Sequence, residues 1–469
     1  MRLDLRSDEK TTVWSGKYAF VEMSDYSMQA QQLESGEVHT TFALNSEGSP
    51  WLILTILFVF IGLWLTSCLG WFFWKKHLVS LRSDDEEDSL EPLLLTETKV
   101  ASRVESLDVF RGITIVTMIF VNYGGGGYWL FNHSTWNGIT IADLVFPWFA
   151  WIMGMSMSIG FAKKRFSRLN HFRIASIRAL KLFALGLFLN NGYDLTSWRI
   201  PGVLQSFGVS YFIVSSIILG SNSIWLIQII SMASIAVLQS LVVFFLPVRG
   251  CPTGYLGPGG IGDYGKYPNC TGGAHRAVDL ALFGHNHIFG GPTTKDVYLT
   301  SSYDPEGFLN WFMVALTTFL GYVAGSVVLT QPLHWRRKTI IMSGSGLVLL
   351  ILGLVLCQGR VNDGWIPLNK NIWSLSFVLT TTGLASLVFT GVFLLVDVFH
   401  IWTGGPFIYA GMNAILLYCG HELLQSFFPF GLKHDETSHV ATTLANLLGV
   451  FSWLCIARFL HAKKIFITV

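Results

Sequence analysis

Apolar runs of roughly 20 residues recur along this chain between shorter polar loops, and each is long enough to cross a hydrocarbon core as a helix. They fall at about 51–74, 107–123, 139–161, 174–191, 200–220, 223–247, 308–330, 339–357, 372–396, 405–423 and 440–461. Backbone in lipid must satisfy its own hydrogen bonds, so runs of this length predict an all-α fold, a polytopic transmembrane helical bundle of about eleven spans. Around it the pattern predicts a short polar N-terminal segment over 1–50, a first span over 51–74 and an acidic linker over 75–105. The transmembrane domain proper covers 106–469, interrupted by one long loop over 248–306.

Charge orients the path. Lys75, Lys76 and Arg82 follow the first span, while the segment before it is mildly acidic, which places residues 1–50 on the non-cytosolic side. An alternating path then puts the basic clusters at 163–165, 336–338 and 463–464 in the cytosol, as the positive-inside rule asks. The loops at 124–138, 248–306, 358–371 and 424–439 fall together on the luminal side. In the linker, an acidic run precedes Leu93-Leu94-Leu95 and reads either as a dileucine sorting signal or as a solvated tail.

Composition agrees with a membrane chain. Charged residues make up 13% of it, about half the share in a soluble domain, and the mean hydropathy is +0.50. Seventeen Trp and 36 Phe supply the aromatic weight that anchors spans at lipid interfaces. A net charge of +2 without a basic arm gives no footprint for nucleic acid and leaves membrane lipid as the surrounding partner. Of the six cysteines, Cys251 and Cys270 share the long loop, where an oxidising lumen would allow a disulfide. Asn269-Cys270-Thr271 is a glycosylation sequon and points to the same compartment.

Chemistry concentrates in the glycine- and aromatic-rich stretch 121–138, VNYGGGGYWLFNHSTWNG, which holds His133 between two spans. Gly124 to Gly127 permit positive φ or close backbone approach, and Trp136 is a ring that could stack on a sugar face. A lone loop histidine is more often simply solvated, and Asn132-His133-Ser134 is itself a sequon that would carry a glycan on Asn132. Asn122 closes the second span on the same side, Asp143 opens the third, and Glu422 ends the tenth beside His421. Ionisable groups at such positions are costly and tend to face a cavity. At the opposite side Arg111 stands three residues after Asp108, as a local ion pair or as an anion contact. Arg178 and Lys181 read either as an ordinary positive flank or as phosphate ligands. His285-Asn286-His287 lacks an acid or cysteine to complete a metal site, so no metal is expected.

In order along the chain stand RVESLDVFRG, VNYGGGGYW, HSTWNGITIADLVFPWF, IPGVLQ, GCPTGYLGPGGIGDYGKYPNCTGG, YDPEG, IPLNKNIWSLSFV and GMNAILLYCGHE. From about Ser102 to the C-terminal Lys-Lys-Ile-Phe, this order resembles the heparan-alpha-glucosaminide N-acetyltransferase family. The resemblance implies a homodimeric, multi-pass enzyme of the lysosomal membrane acting in heparan sulfate degradation. It would move acetyl from cytosolic acetyl-CoA to the terminal non-reducing glucosamine of heparan sulfate in the lumen. It also implies that His133 is the active-site histidine and Asn122 its assisting asparagine. Two departures stand out: animal members carry a sizeable luminal domain before the first span where about 50 residues stand here, and Ser206 replaces an expected Arg.

Acetyl transfer from a thioester to an amine needs a group that removes the ammonium proton, and an imidazole suits that role. The same imidazole could instead attack the thioester and carry the acetyl group. Asn122 would donate to the oxyanion, while Arg111, Arg178 and Lys181 would meet the acetyl-CoA phosphates. Asp143, Trp136 and Glu422 would face the sugar. Two other readings compete. A sugar or amino-sugar transporter is consistent with prolines at 147 and 201, and a related acyltransferase would act on another sugar.

Overall fold

The computed structural model describes residues 103–469 apart from 163–166, 222–223, 331–332, 435–437 and 468–469, and parts of the first 102 residues. The expected first span, apart from scattered helical positions, lies outside the described residues, as do Cys68 and nearly all of the acidic linker.

Two units separate at Pro92. The first contains two antiparallel hairpins, β1 (Arg2–Arg6) with β2 (Thr12–Lys17) and β3 (Asp25–Gln32) with β4 (Val38–Ser46). The apolar-run pattern did not foresee them. The β-branched and aromatic residues Val38, Thr40, Thr41 and Phe42 favour extended backbone, with Phe42 opposite Met28.

The second unit is helical. Its transmembrane part comprises α1 (Glu105–Asn122), α2 (Ile141–Ala162), α3 (Arg168–Asn190), α4 (Val203–Gly220) and α5 (Trp225–Phe245). After a long loop bearing the short α6 (Ala274–Phe283) and α7 (Thr294–Tyr298) come α8 (Phe308–Leu329), α9 (Trp335–Leu356), α10 (Leu375–Phe393), α11 (Phe407–Met412), α12 (Ala414–Leu424) and α13 (His439–Ala462). A π-turn at Leu394–Val398 extends α10.

Seven of these helices are both long and apolar enough to span a membrane: α2, α4, α5, α8, α9, α10 with its π-turn, and α13. The charged residues on α1 and α3 keep them off that count, although each has the length. The expected span at 405–423 is not one rod: α11 and α12 break at Asn413. The most apolar windows of α5 and α9 are only 22% and 17% buried, so these two helices present their faces outward, to lipid. Serines at 167, 374 and 438 start α3, α10 and α13 by accepting a backbone N–H three residues on.

Without a hydrophobic force between helices in lipid, close backbone approach does much of the packing. Gly154 on α2 and Gly321 on α8 lie at one such crossing; a Cβ on either would overlap a carbonyl oxygen of the other helix. Gly112 and Gly411 do the same for α1 and α11. Phe110, Trp151 and Phe389 form the aromatic centre of the core, with Phe110 edge-on to both partners at 6.0 and 6.1 Å.

The four loops expected on one side do meet at one end of the bundle. Trp136 Nε1 donates to Leu256 O at 2.9 Å, the Gly138 N–H to Leu368 O at 2.8 Å, and the Gly126 carbonyl lies 2.7 Å from His439 Nδ1. Cys251 and Cys270 are bonded to each other in the long loop.

Candidate functional site

His133 sits where α1 gives way to α2. The chain leaves α1 through four consecutive left-handed glycines, Gly124 to Gly127, a path that any Cβ would strain. It then returns so that His133 Nδ1 lies 2.8 Å from Asp143 Oδ1 in the first turn of α2. The other oxygen of Asp143 accepts from the Ser134 and Thr140 N–H groups and the Thr140 hydroxyl, each at 3.1 Å. A fully buried carboxylate so bonded is an ionised acceptor, so His133 Nδ1 carries the hydrogen and Nε2 carries the lone pair. The imidazole itself is 34% exposed.

A lysine completes the surroundings. Lys370 Nζ stands 3.2 Å from His133 Nδ1, 3.4 Å from Nε2 and 3.9 Å from Asp143 Oδ1. Its charge, and then burial, hold the imidazole below the ordinary histidine range, against the hydrogen bond and charge of Asp143.

Asn122 ends α1 with its amide nitrogen 2.9 Å from His421 Nε2 and 3.0 Å from Glu422 Oε1. His421 Nδ1 faces the Leu417 carbonyl at 3.0 Å and so bears a hydrogen, leaving Nε2 to accept. Both amide hydrogens of Asn122 are therefore engaged, one by His421 and one by the Glu422 carboxylate.

These groups open on one cavity of about 580 Å³ that runs through the bundle. His133, Asn122, Glu422, Lys370, Arg199 and Glu306 line one end, while Arg111 and Arg178 line the other. Eleven residues separate Arg111 from Asn122 along α1, about 17 Å of helix rise. Arg111 is anchored to Asp108 Oδ1 at 3.0 Å, Ser156 Oγ at 2.9 Å and Gly411 O at 3.3 Å. Arg178 lies 4.9 Å above the Tyr211 ring. Between the two ends the walls are apolar, with Ile115, Met118, Val145, Phe149 and Ile152 among them.

Placement divides the expected residues. His133, Asn122, Glu422, Arg111 and Arg178 line the cavity, and Asp143 stands directly behind His133. Lys181 does not line it and is exposed. Trp136 is 1% exposed and packs its ring 5.6 Å from Tyr303, where no sugar could stack on it. Asn132 and Asn269 are both exposed. Ser206 is fully buried and returns its hydroxyl to the Gly202 carbonyl at 2.8 Å. Among the described residues no group of three or more His, Cys, Asp or Glu side chains could hold a metal ion.

Residues 103–268 match the family model described as the catalytic region of heparan-alpha-glucosaminide N-acetyltransferase. The chain is 39% identical over 422 residues to heparan-alpha-glucosaminide N-acetyltransferase of Homo sapiens, covering 82% of this chain and 63% of that protein. It is 41% identical over 401 residues to the protein of the same name in Mus musculus, covering 79% of this chain and 61% of the relative. The chain is similar to these heparan-alpha-glucosaminide N-acetyltransferases along most of its own length. It spans somewhat under two thirds of the length of these curated relatives.

At the His133 end of the cavity, Lys370 and the cluster of Arg199 with Asp304 and Glu306 escaped the sequence reading. Lys370 lies in the IPLNKN motif but looks like any solvated loop lysine. Arg199 is doubly paired to Asp304, at 2.9 and 2.7 Å, and reaches Glu306 at 2.5 Å. Arg199 is over 100 positions from both carboxylates, a distance no local pattern bridges. The signal was the charge itself, since YDPEG sits beside a span where carboxylates are costly.

Proposed function

We propose that this protein is an acetyl-CoA-dependent N-acetyltransferase that moves acetyl across the membrane to the terminal non-reducing glucosamine of heparan sulfate, at the lysosomal membrane. One observation carries the reading: a single cavity joins a pair of arginines at one end to a carboxylate-oriented histidine at the other. A transporter needs a passage but no such oriented base, whereas acyl transfer needs both. Similarity to the heparan-alpha-glucosaminide N-acetyltransferases supports the chemical class of the acceptor.

Acetyl-CoA enters at the Arg111 end. Arg111 and Arg178 face its phosphates, and the thin, flexible pantetheine arm follows the apolar walls toward His133. The sugar enters from the far end, where Glu306 and Glu422 face its ammonium. The ammonium first gives one proton to solvent; His133 Nε2 then takes a second from the neutral amine as the nitrogen lone pair attacks the thioester carbonyl. The tetrahedral carbon then expels the CoA sulfur, which leaves as thiolate and collects the proton. Asp143 stabilises the imidazolium formed in between. Asn122 serves the oxyanion by turning one amide hydrogen from Glu422 or His421 to the thioester oxygen.

The test is acetylation of glucosamine by the purified full chain with labelled acetyl-CoA, comparing the parent with His133→Ala. The expected result is labelled N-acetylglucosamine from the parent alone, with acetyl-CoA binding kept in the variant. Equal product from both would remove His133 from the chemistry.

A further inference from the structure

The carboxylate partner of His133 poses a problem that a second residue answers. Asp143, fully buried on α2, favours the protonated imidazole, and Glu306 from the loop before α8 adds to that bias while tied to Arg199. A protonated His133 cannot accept the proton of an amine. In an acidic lumen, an imidazole beside two carboxylates would spend most of its time charged.

Lys370 opposes them at close range. Its ammonium lies within 3.2–3.4 Å of both ring nitrogens, and its side chain is only 13% exposed. The turn that carries it is clasped to the His133 loop: Asn369 Nδ2 donates to Asn137 Oδ1 at 3.0 Å, and the Gly138 N–H donates to Leu368 O at 2.8 Å. Within that turn the N–H groups of Ile372 and Trp373 bond back to Asn369 Oδ1 and the Lys370 carbonyl. These bonds hold the backbone of Lys370 beside the imidazole, and its side chain is directed at His133 and Asp143.

We propose that Lys370 is a positioning residue for the base, its ammonium beside both ring nitrogens keeping the His133 imidazole unprotonated in an acidic compartment so that Nε2 remains a proton acceptor. The proposal rests on the acyl-transfer reading above, and Lys370 reaches the reaction only through His133.

The experiment uses the full chain in detergent as parent, Lys370→Met and Lys370→Arg. In Lys370→Met, the acid limb of kcat/KM moves up by about one pH unit or more, which is about a tenfold loss on the acid side with little change on the alkaline side. Lys370→Arg keeps the parental limb because it keeps the charge. A second readout needs no transferase activity: the pH midpoint of His133 carbethoxylation by diethyl pyrocarbonate, followed by peptide mass spectrometry, moves up in the same variant. If the parent acetylates no amine, the acyl-transfer reading fails, yet the carbethoxylation midpoint still judges Lys370. Lys370→Gln is read in place of Lys370→Met if that variant does not fold. A parental midpoint in the neutral variant, or a uniform loss of activity at every pH, overturns the proposal.

Discussion

His133 and Asp143 are ten residues apart in sequence and 2.8 Å apart in space, with the imidazole Nδ1 donating to the carboxylate. The pairing fixes which ring nitrogen faces the cavity. Asp143→Asn would leave the ring in place but remove the charged acceptor that selects this tautomer. Turnover should fall by roughly 10²–10⁴ while acetyl-CoA binding stays near the parental value. Rapid-quench turnover and equilibrium binding of labelled acetyl-CoA check both halves.

The arginine end makes a separate prediction. Arg111→Met with Arg178→Met should raise the KM for acetyl-CoA by about tenfold or more, as expected for losing charged hydrogen bonds to phosphate, with kcat little changed. Lys181→Met, which removes an exposed lysine outside the cavity lining, should leave both constants unchanged. Steady-state kinetics with acetyl-CoA as the varied substrate decides this.

Arg199 ties two loops at the His133 end through Asp304 and Glu306, over the Phe289 ring at 4.4 Å. Removing one partner of a buried pair leaves an uncompensated charge, at a cost of about 3–5 kcal/mol. Arg199→Met should therefore lower the thermal midpoint of the solubilised protein by several degrees. A midpoint equal to the parent's would mean that the cluster stands without its cation.

The Cys251–Cys270 bond closes a short loop in the long segment that packs over His133's end of the bundle. Its loss should cost about 3 kcal/mol by the loop-entropy estimate. Cys251→Ser should expose residues 249–273 to trypsin at Arg249 and Lys266, seen as new cleavage on a gel.

Much of this arrangement was legible in the sequence because membrane burial writes itself into apolar runs and basic flanks. The gathering of the 124–138, 248–306, 358–371 and 424–439 loops followed from charge asymmetry alone. What stayed hidden has physical causes. The break at Asn413 lies inside a run that reads as one span, and only Gly411 beside it hinted at close packing with α1. Trp136 looked like an interfacial ring open to a sugar, but its indole N–H is spent on the Leu256 carbonyl and its ring on Tyr303. Lys181 shares a helix with Arg178, but the residue one turn on that lines the cavity is Leu182, and Lys181 lies to its side, exposed. Lys370 and the Arg199 cluster depend on contacts between distant loops, which periodicity does not encode.

The central claim, transfer of acetyl through one cavity from one face of the membrane to the other, is tested most directly in sealed proteoliposomes. Labelled acetyl-CoA is supplied on one side and glucosamine only on the other. Labelled N-acetylglucosamine should accumulate on the glucosamine side with the parent and not with His133→Ala, while CoA appears on the opposite side. Movement of unmodified glucosamine across the bilayer, without labelled product, would contradict the account.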